Sequence, residues 1–407
     1  MPPVLLASNM SALKDSKFSW TIIRGGFKAM RFIEHRPGAK RPGLEDLRRL
    51  RRFLFLDYGT ALGSCVHATP IYEALKYAVP DAVTMVACSR MAFEVFKHNP
   101  FIDYLVETPR PTGNVFHAIR SVREYLKIHG LTPEVIITSK GNEQRSIAML
   151  AYFAGKAIRF GYTLAPELYD VLLRPDSKRS LIENNLKVIE RLGHQSQVVE
   201  PRVAFSPADL ERAQNLLRAG DARPRVVFIT QTSPTQRKSW PRDRFVSVAN
   251  HAVKVHRAYP VFVGTTKEAE GIESIRAGVE GESITLAGQT TITQLAAVLS
   301  LCDYAVSLDT GNMHIGRSVG LPMVILAPAW QPVIEWLPLG FDQYRIFKGD
   351  DIPQAPPDYV MNEIGVEEVI VALDDLFSRY PVSQQSRHAR IERSLAHVSS
   401  QSRCQLT

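Results

Sequence analysis

The stretch YAVSLDTGNMHIGRSVGLPMVIL, residues 304–326, decides how the chain is read. It opens on five residues, Tyr304–Leu308, that suit a buried strand, and passes at once into the polar loop Asp309-Thr310-Gly311-Asn312-Met313-His314. A short helix of small residues follows over Ile315–Val319. Gly320-Leu321-Pro322 then stops it, and a second apolar run begins at Met323–Leu326. Strand, helix and strand in so little chain imply a parallel pair.

Outward from this unit the alternation recurs. Upstream lie strands Val226–Thr230, Val261–Val263 and Ser283–Leu286, with helices over Arg244–His256 and Ile292–Leu301. Earlier still, strands Phe53–Asp57, Val83–Ala87, Val135–Thr138 and Ala157–Phe160 alternate with helices Val66–Val79 and Val115–Ile128. Between the two sets, prolines at 201, 207 and 224 surround one helix, Ala208–Ala219, and read as a joint. The pattern predicts an α/β fold of two facing Rossmann-like domains, with ligands in the cleft at the carboxyl ends of their strands. The predicted units are a basic arm (1–52), a first domain (53–205), a second domain (222–362), a helix returning over the first half (363–380) and a loose polar tail (381–407).

Composition narrows the function classes. With 407 residues, 45% hydrophobic and 22% charged, the chain can bury two full cores. Its four cysteines (Cys65, Cys88, Cys302, Cys404) form no C-x-x-C pair, which argues against a disulfide framework or a thiolate metal site. No apolar run reaches the ~18 residues of a membrane span. Met1–Met10 lacks the marks of a secretory leader, so a cytoplasmic location is expected. The net charge of 49 − 41 = +8 is local: residues 1–52 hold twelve Lys and Arg against four acids, again +8. The rest is formally neutral, which speaks against nucleic-acid binding by the main fold. In the arm, Trp20, Ile23, Phe27 and Met30 recur at helical spacing between Arg24, Lys28 and Arg31. Contact with an anionic membrane surface and packing on the chain's own domain both fit that pattern.

Three loops carry the chemistry. Tyr58-Gly59-Thr60-Ala61-Leu62-Gly63-Ser64 follows the first strand; its glycines let backbone N–H groups approach a ligand, and the next helix start favours negative charge. It is neither G-x-G-x-x-G nor a P-loop. After Val226–Thr230 come Thr232 and Ser233, then Arg237 and Lys238, then Trp240-Pro241. Hydroxyls followed by cations suit a diphosphate, although an exposed polar loop has the same look. In the third loop Thr310 and Gly311 offer backbone N–H groups to a pyrophosphate, and His314 can donate to a phosphate or a sugar hydroxyl. Asp309 as a plain helix cap and His314 as a packing residue are the bland alternatives.

These loops resemble glycosyltransferase family 9, the ADP-heptose:lipopolysaccharide heptosyltransferase family. Phe53–Leu75, with Thr69-Pro70, is similar to that family's opening strand, loop and helix. Lys238-Ser239-Trp240-Pro241 is similar to its K-x-W-P segment, and Asp309–His314 to its D-[ST]-G-x-x-H motif, preceded in order by Leu286-Ala287-Gly288 and Leu295-Ala296. The resemblance implies a GT-B fold and an inverting transfer from a nucleotide sugar, ADP-heptose above others, to a glycan, lipid-linked or protein acceptor of the cell envelope. Membrane contact through residues 1–52 is what would place the work peripherally on the inner face of the cytoplasmic membrane. The resemblance implies no bound cofactor. It puts the diphosphate on Lys238 with Thr232 or Ser233, and adds Thr310, Gly311 and Met313 through their backbones. Asp309 and His314 come near sugar and phosphate, Thr266 flanks the nucleoside, and the acceptor meets the first loop at Gly59, Thr60, Gly63 and Ser64. No D-x-D occurs in the chain, so no metal is expected and cations must stabilise the leaving group.

One departure matters. The family's first loop commonly carries Gly-Asp, the aspartate serving as base; here the pair is Gly63-Ser64. A serine hydroxyl cannot take the acceptor's proton unaided. His67, one helical turn after Ser64, and Asp57, at the strand end, are the candidate bases. A non-catalytic paralogue that binds a nucleotide sugar as a scaffold is the alternative, and a nucleotide-sugar epimerase on the same fold a further one.

Overall fold

A computed structural model describes residues 24–30, 43–196, 199–217, 222–232 and 237–396. Within them, two six-stranded parallel sheets account for the predicted alternation. The first contains β1 (Arg52–Asp57), β2 (Val83–Cys88), β3 (Tyr104–Glu107), β4 (Val135–Thr138), β5 (Ile158–Gly161) and β6 (Val171–Leu172), ordered β3-β2-β1-β4-β5-β6. The second contains β7 (Arg225–Ile229), β8 (Tyr259–Phe262), β9 (Ile284–Thr285), β10 (Tyr304–Leu308), β11 (Met323–Ala327) and β12 (Tyr344–Lys348), ordered β12-β11-β10-β7-β8-β9. The central strands β1, β4, β7 and β10 are apolar on both faces because helices cover both, and from Phe53 on they are buried throughout.

The order fixes where a ligand can sit. In each sheet the chain winds one way from the first strand and then reverses, so β1/β4 and β7/β10 are the switch points. Loops leaving the carboxyl ends of neighbouring strands part there and open a crevice. The loops singled out in the sequence leave β1, β7 and β10.

The two domains meet along the helices that follow β1 and β10, Leu62–Ala78 and Gly311–Val319. Two glycines permit the approach. A Cβ on Gly63 would lie 2.6 Å from His314 Cδ2, and one on Gly311 would lie 2.7 Å from Leu62 Cβ. Each sits at the amino end of its helix and admits a side chain of the other domain.

Several expectations change. The helix Val366–Arg379 does not return over the first half: Val369, Leu373 and Leu376 pack with Phe245, Tyr304 and Val324 of the second domain. The tail is not loose through 396. A helix spans Gln384–Ser394, and its buried Arg387 binds Asp303 through Nε at 2.8 Å and Nη2 at 2.5 Å. Asp303 also accepts from the Arg225 backbone, so this contact ties the helix to the start of β7. In the arm, residues 24–30 are helical; Phe27 is buried among Leu54, Leu56 and Met85, and Arg24 pairs with Glu167. That part of the apolar stripe faces the chain's own first domain, while Trp20, Ile23 and Arg31 lie outside the described residues. No helix among the described residues is long and apolar enough to cross a membrane.

Candidate functional site

Beyond β10 the chain places Asp309 in the β7/β10 crevice, 1% exposed. Lys238, from the loop after β7, sets Nζ 2.8 Å from Asp309 Oδ2 and 3.2 Å from its carbonyl oxygen. Gln331 Nε2 donates to the same Oδ2 at 2.8 Å, and His314 Nε2 lies 3.7 Å from Oδ1. The ammonium also sits 5.7 Å over the Trp330 ring. Two buried opposite charges lose their hydration, and such a pair persists only when the remaining lone pairs are satisfied. Gln331 and His314 supply that here. Asp309 thereby holds a lysine and an imidazole at the mouth of a helix start, an arrangement suited to an anion. Because its oxygens face Lys238, Gln331 and His314, it is poorly placed to ligate a cation as well.

His314 reaches across to the first domain. Its Nδ1 is 3.0 Å from His67 Nε2, and the Trp336 ring lies against both imidazoles, stacked on His67 at 5.5 Å and tilted to His314 at 6.1 Å between centroids. Burial holds His67 well below the ordinary histidine range, helped by His314 and Arg317. Burial also brings His314 down to about 4 against the opposing pull of Asp309. Both rings are therefore neutral at pH 7. The carboxylate beside His314 Nε2 favours the proton there, which makes Nδ1 the acceptor from His67 Nε2–H. His67 is thus a bridge between domains, with its basicity suppressed and one nitrogen committed. That environment counts against the base role expected of it.

Asp57 lies under the first loop. Tyr72 Oη and Asn142 Nδ2 donate to it at 3.2 and 3.3 Å, and Asn142 Oδ1 accepts from the Tyr58 backbone at 2.6 Å. Burial raises its carboxyl to about 6 despite those bonds. Gly59 offers its carbonyl to Arg110 Nη2 at 3.0 Å. Thr60 is exposed, and Ser64 is half-buried in the first turn of the following helix.

The other predicted residues divide. Thr232 lines a cavity of about 670 Å³ with Gln231, Arg242, Thr265 and Lys267, at the carboxyl ends of β7 and β8. Thr266 opens the neighbouring turn, pressed by Gly288 (φ +70°), where a Cβ would stand 2.4 Å from Thr266 Oγ1. Thr310 is the extended N-cap of Gly311–Val319, and its Oγ1 is buried without a protein partner. Met313 is wholly buried in the core, which leaves only its backbone for a ligand. Ser233 lies outside the described residues. Lys238, Asp309, His314, Gly63 and His67 are brought together; Asp57 and Thr266 stand apart from that cluster.

Sequence reasoning missed Gln331, Trp330 and Trp336. All three follow β11, the strand next to β10 in the sheet. The signal was present: Ala329-Trp330-Gln331-Pro332 leaves a strand's carboxyl end and holds one of only four tryptophans, with Trp336 just beyond.

Residues 135–333 match the model of glycosyltransferase family 9 (heptosyltransferase). The chain is 24% identical over 339 residues to lipopolysaccharide heptosyltransferase 3 of Escherichia coli, across 77% of this chain and 96% of that one. Among solved structures, the family 9 glycosyl transferase of Veillonella parvula superposes with a TM-score of 0.72 at 21% identity, over 81% of this chain and 97% of its own. The E. coli ADP-heptose LPS heptosyltransferase II gives 0.66 at 17% identity, over 81% and 99%. At these identities the structural likeness shows the fold, two Rossmann-like domains of GT-B type.

Proposed function

We propose that this chain, a member of glycosyltransferase family 9, moves heptose from ADP-heptose to a lipopolysaccharide-type acceptor, inverting the anomeric centre and using no metal. The observation that carries the proposal is the Lys238–Asp309–His314 cluster beside the unpartnered Thr310 Oγ1 at a helix start. The names of the relatives supply the sugar and nucleotide; the cluster supplies the chemistry.

In this reading residues 222–362 take the donor and residues 53–205 the acceptor. Lys238, Thr232 and Ser233 hold the diphosphate, joined by Thr310 Oγ1 and by the backbone N–H groups of Thr310, Gly311 and Met313 at the helix amino end. Thr266 flanks the nucleoside. When the bond from the anomeric carbon to the diphosphate oxygen breaks, that oxygen gains negative charge. In this reading Lys238 and His314, held in place by Asp309, and the helix end stabilise that charge with little reorganisation. The acceptor hydroxyl attacks from the side of Gly59, Thr60, Gly63 and Ser64, opposite the leaving group, which inverts the centre. Of the two base candidates, Asp57 is the stronger, since burial holds its carboxyl near neutrality. His67 is weakened by its surroundings and bonded to His314.

Ser64 in place of the family's aspartate favours a second reading, a donor-binding scaffold without turnover. The test is ADP release from ADP-heptose with a heptose-deficient lipopolysaccharide acceptor in EDTA. Transfer with inverted configuration, seen by NMR, is expected. Tight donor binding with no ADP release would replace the enzyme with the scaffold, and a strict need for Mg²⁺ or Mn²⁺ would overturn metal independence.

A further inference from the structure

At the edge of the second domain remote from the cleft, two helices bring together groups that the transfer does not use. The helix Arg242–His256 presents His251 and His256, and Val366–Arg379 presents Asp374 to both. His251 Nε2 is 2.9 Å and His256 Nε2 2.6 Å from one oxygen, Asp374 Oδ1. The three ligand atoms lie within 4.8 Å of one another. Phe377 stacks on His256 at 3.8 Å with the rings 5° from parallel, which fixes the plane of that imidazole. The side chains are partly open to solvent, 21% for His251, 19% for His256 and 40% for Asp374, so an ion has a way in.

We propose that His251, His256 and Asp374 bind one divalent transition-metal ion, of the zinc class, as a clamp between these helices. Bonds of about 2.0–2.2 Å to nitrogen and oxygen at tetrahedral angles separate ligand atoms by roughly 3.3 Å. The present N–O separations need only a small expansion to admit the ion, which replaces the protons now shared with Asp374. Two imidazoles and one carboxylate suit Zn²⁺, Co²⁺, Ni²⁺ or Cu²⁺ and discriminate against Mg²⁺ and Ca²⁺, which prefer all-oxygen sets. Solvent completes the coordination. The ligands come from positions 118 and 123 residues apart, so the full set exists only in the folded chain and the ion must stabilise it. At ~1.5 Å per residue, His256 stands about 21 Å along its helix from Arg242, near the cleft. The ion is therefore structural and separate from the diphosphate chemistry.

The test uses the full chain, stripped with EDTA, exchanged into chelator-free buffer and titrated with ZnCl₂ by calorimetry, with melting curves in parallel. One equivalent should bind, Zn²⁺ should raise the melting temperature, and Co²⁺ should give a low-symmetry d–d absorption. Losing even an outer-shell partner of a metal site costs about 10–100-fold in affinity, so loss of a ligand should cost at least tenfold. His251→Gln, which can still hydrogen-bond Asp374, and Asp374→Asn should each show that loss and abolish the thermal shift while keeping wild-type ADP affinity. Absence of stoichiometric Zn²⁺ binding, or wild-type Zn²⁺ binding in both variants, would overturn the site.

Discussion

Lys238→Ala removes an ammonium that is 7% exposed and lies 2.8 Å from a carboxylate that is 1% exposed. Two consequences separate. The first concerns folding: Asp309 keeps Gln331 and the nearby His314 but loses its counter-charge, and breaking a buried pair from one side costs ~3–5 kcal/mol. Protonation of the stranded carboxyl sets an upper bound on that cost. Asp309→Asn in the same background removes the stranded charge, so the double variant should be more stable than Lys238→Ala alone. The second concerns the donor: a charge-assisted bond to a phosphate contributes ~1.5–3 kcal/mol, which is about a 10–150-fold loss of affinity for ADP. Urea denaturation reads the first and calorimetric titration with ADP the second. Stability within ~0.5 kcal/mol of wild type, the range of an ordinary surface change, would refute the buried-pair argument. Unchanged ADP affinity in a folded variant would refute the phosphate contact.

Three further outcomes are expected. Gly63→Ala drives a methyl to 2.6 Å from His314 Cδ2; it should cost ~1–3 kcal/mol by overpacking and depress kcat, checked by denaturation and steady-state rates. For pH, burial lowers His314 from the ordinary 6.5 to about 4 in the folded chain, so between these values the unfolded chain binds more protons. Stability should fall as pH drops through that window, by ~3 kcal/mol for this group, and level off below it. Asp57, raised from 3.8 to about 6, acts in the opposite sense over nearly the same window, so the readout is the difference between His314→Gln and wild type: the variant should gain ~3 kcal/mol relative to wild type as pH falls from 6.5 to 4, and a constant difference would refute the shift. Asp57→Asn should lower kcat roughly a hundredfold with ADP affinity retained, whereas His67→Gln should shift domain contact and donor KM more than kcat; equal rates for Asp57→Asn and wild type would exclude Asp57 as base.

The fold was legible because the central strands are apolar on both faces and stand between helical periods. Tyr304–Leu308 and Val135–Thr138 have the predicted bounds. β3, β6 and β12 were not: Tyr104–Glu107 and Tyr344–Lys348 mix charges with apolar residues in partly buried strands, and Val171–Leu172 is only two residues long. The tail misled because Gln384–Ser394 is polar in composition, yet Arg387 is buried through an ion pair that a hydrophobicity pattern cannot register. At the site, Lys238 and Asp309 were visible as loop residues after parallel strands. Their mutual pairing, the Gln331 contact and the His67–His314 bridge depend on how strands 7, 10 and 11 neighbour one another and on how the domains face. Spacing along the chain carries neither.

The most direct test of the account is one reaction: purified full-length protein, ADP-heptose and heptose-deficient lipopolysaccharide, with ADP release and acceptor mass followed together for wild type and Lys238→Ala. The account predicts one ADP released for each heptose added by wild type, and a severe loss of both in the variant. Wild-type protein that binds ADP-heptose but adds no heptose to the acceptor would contradict it.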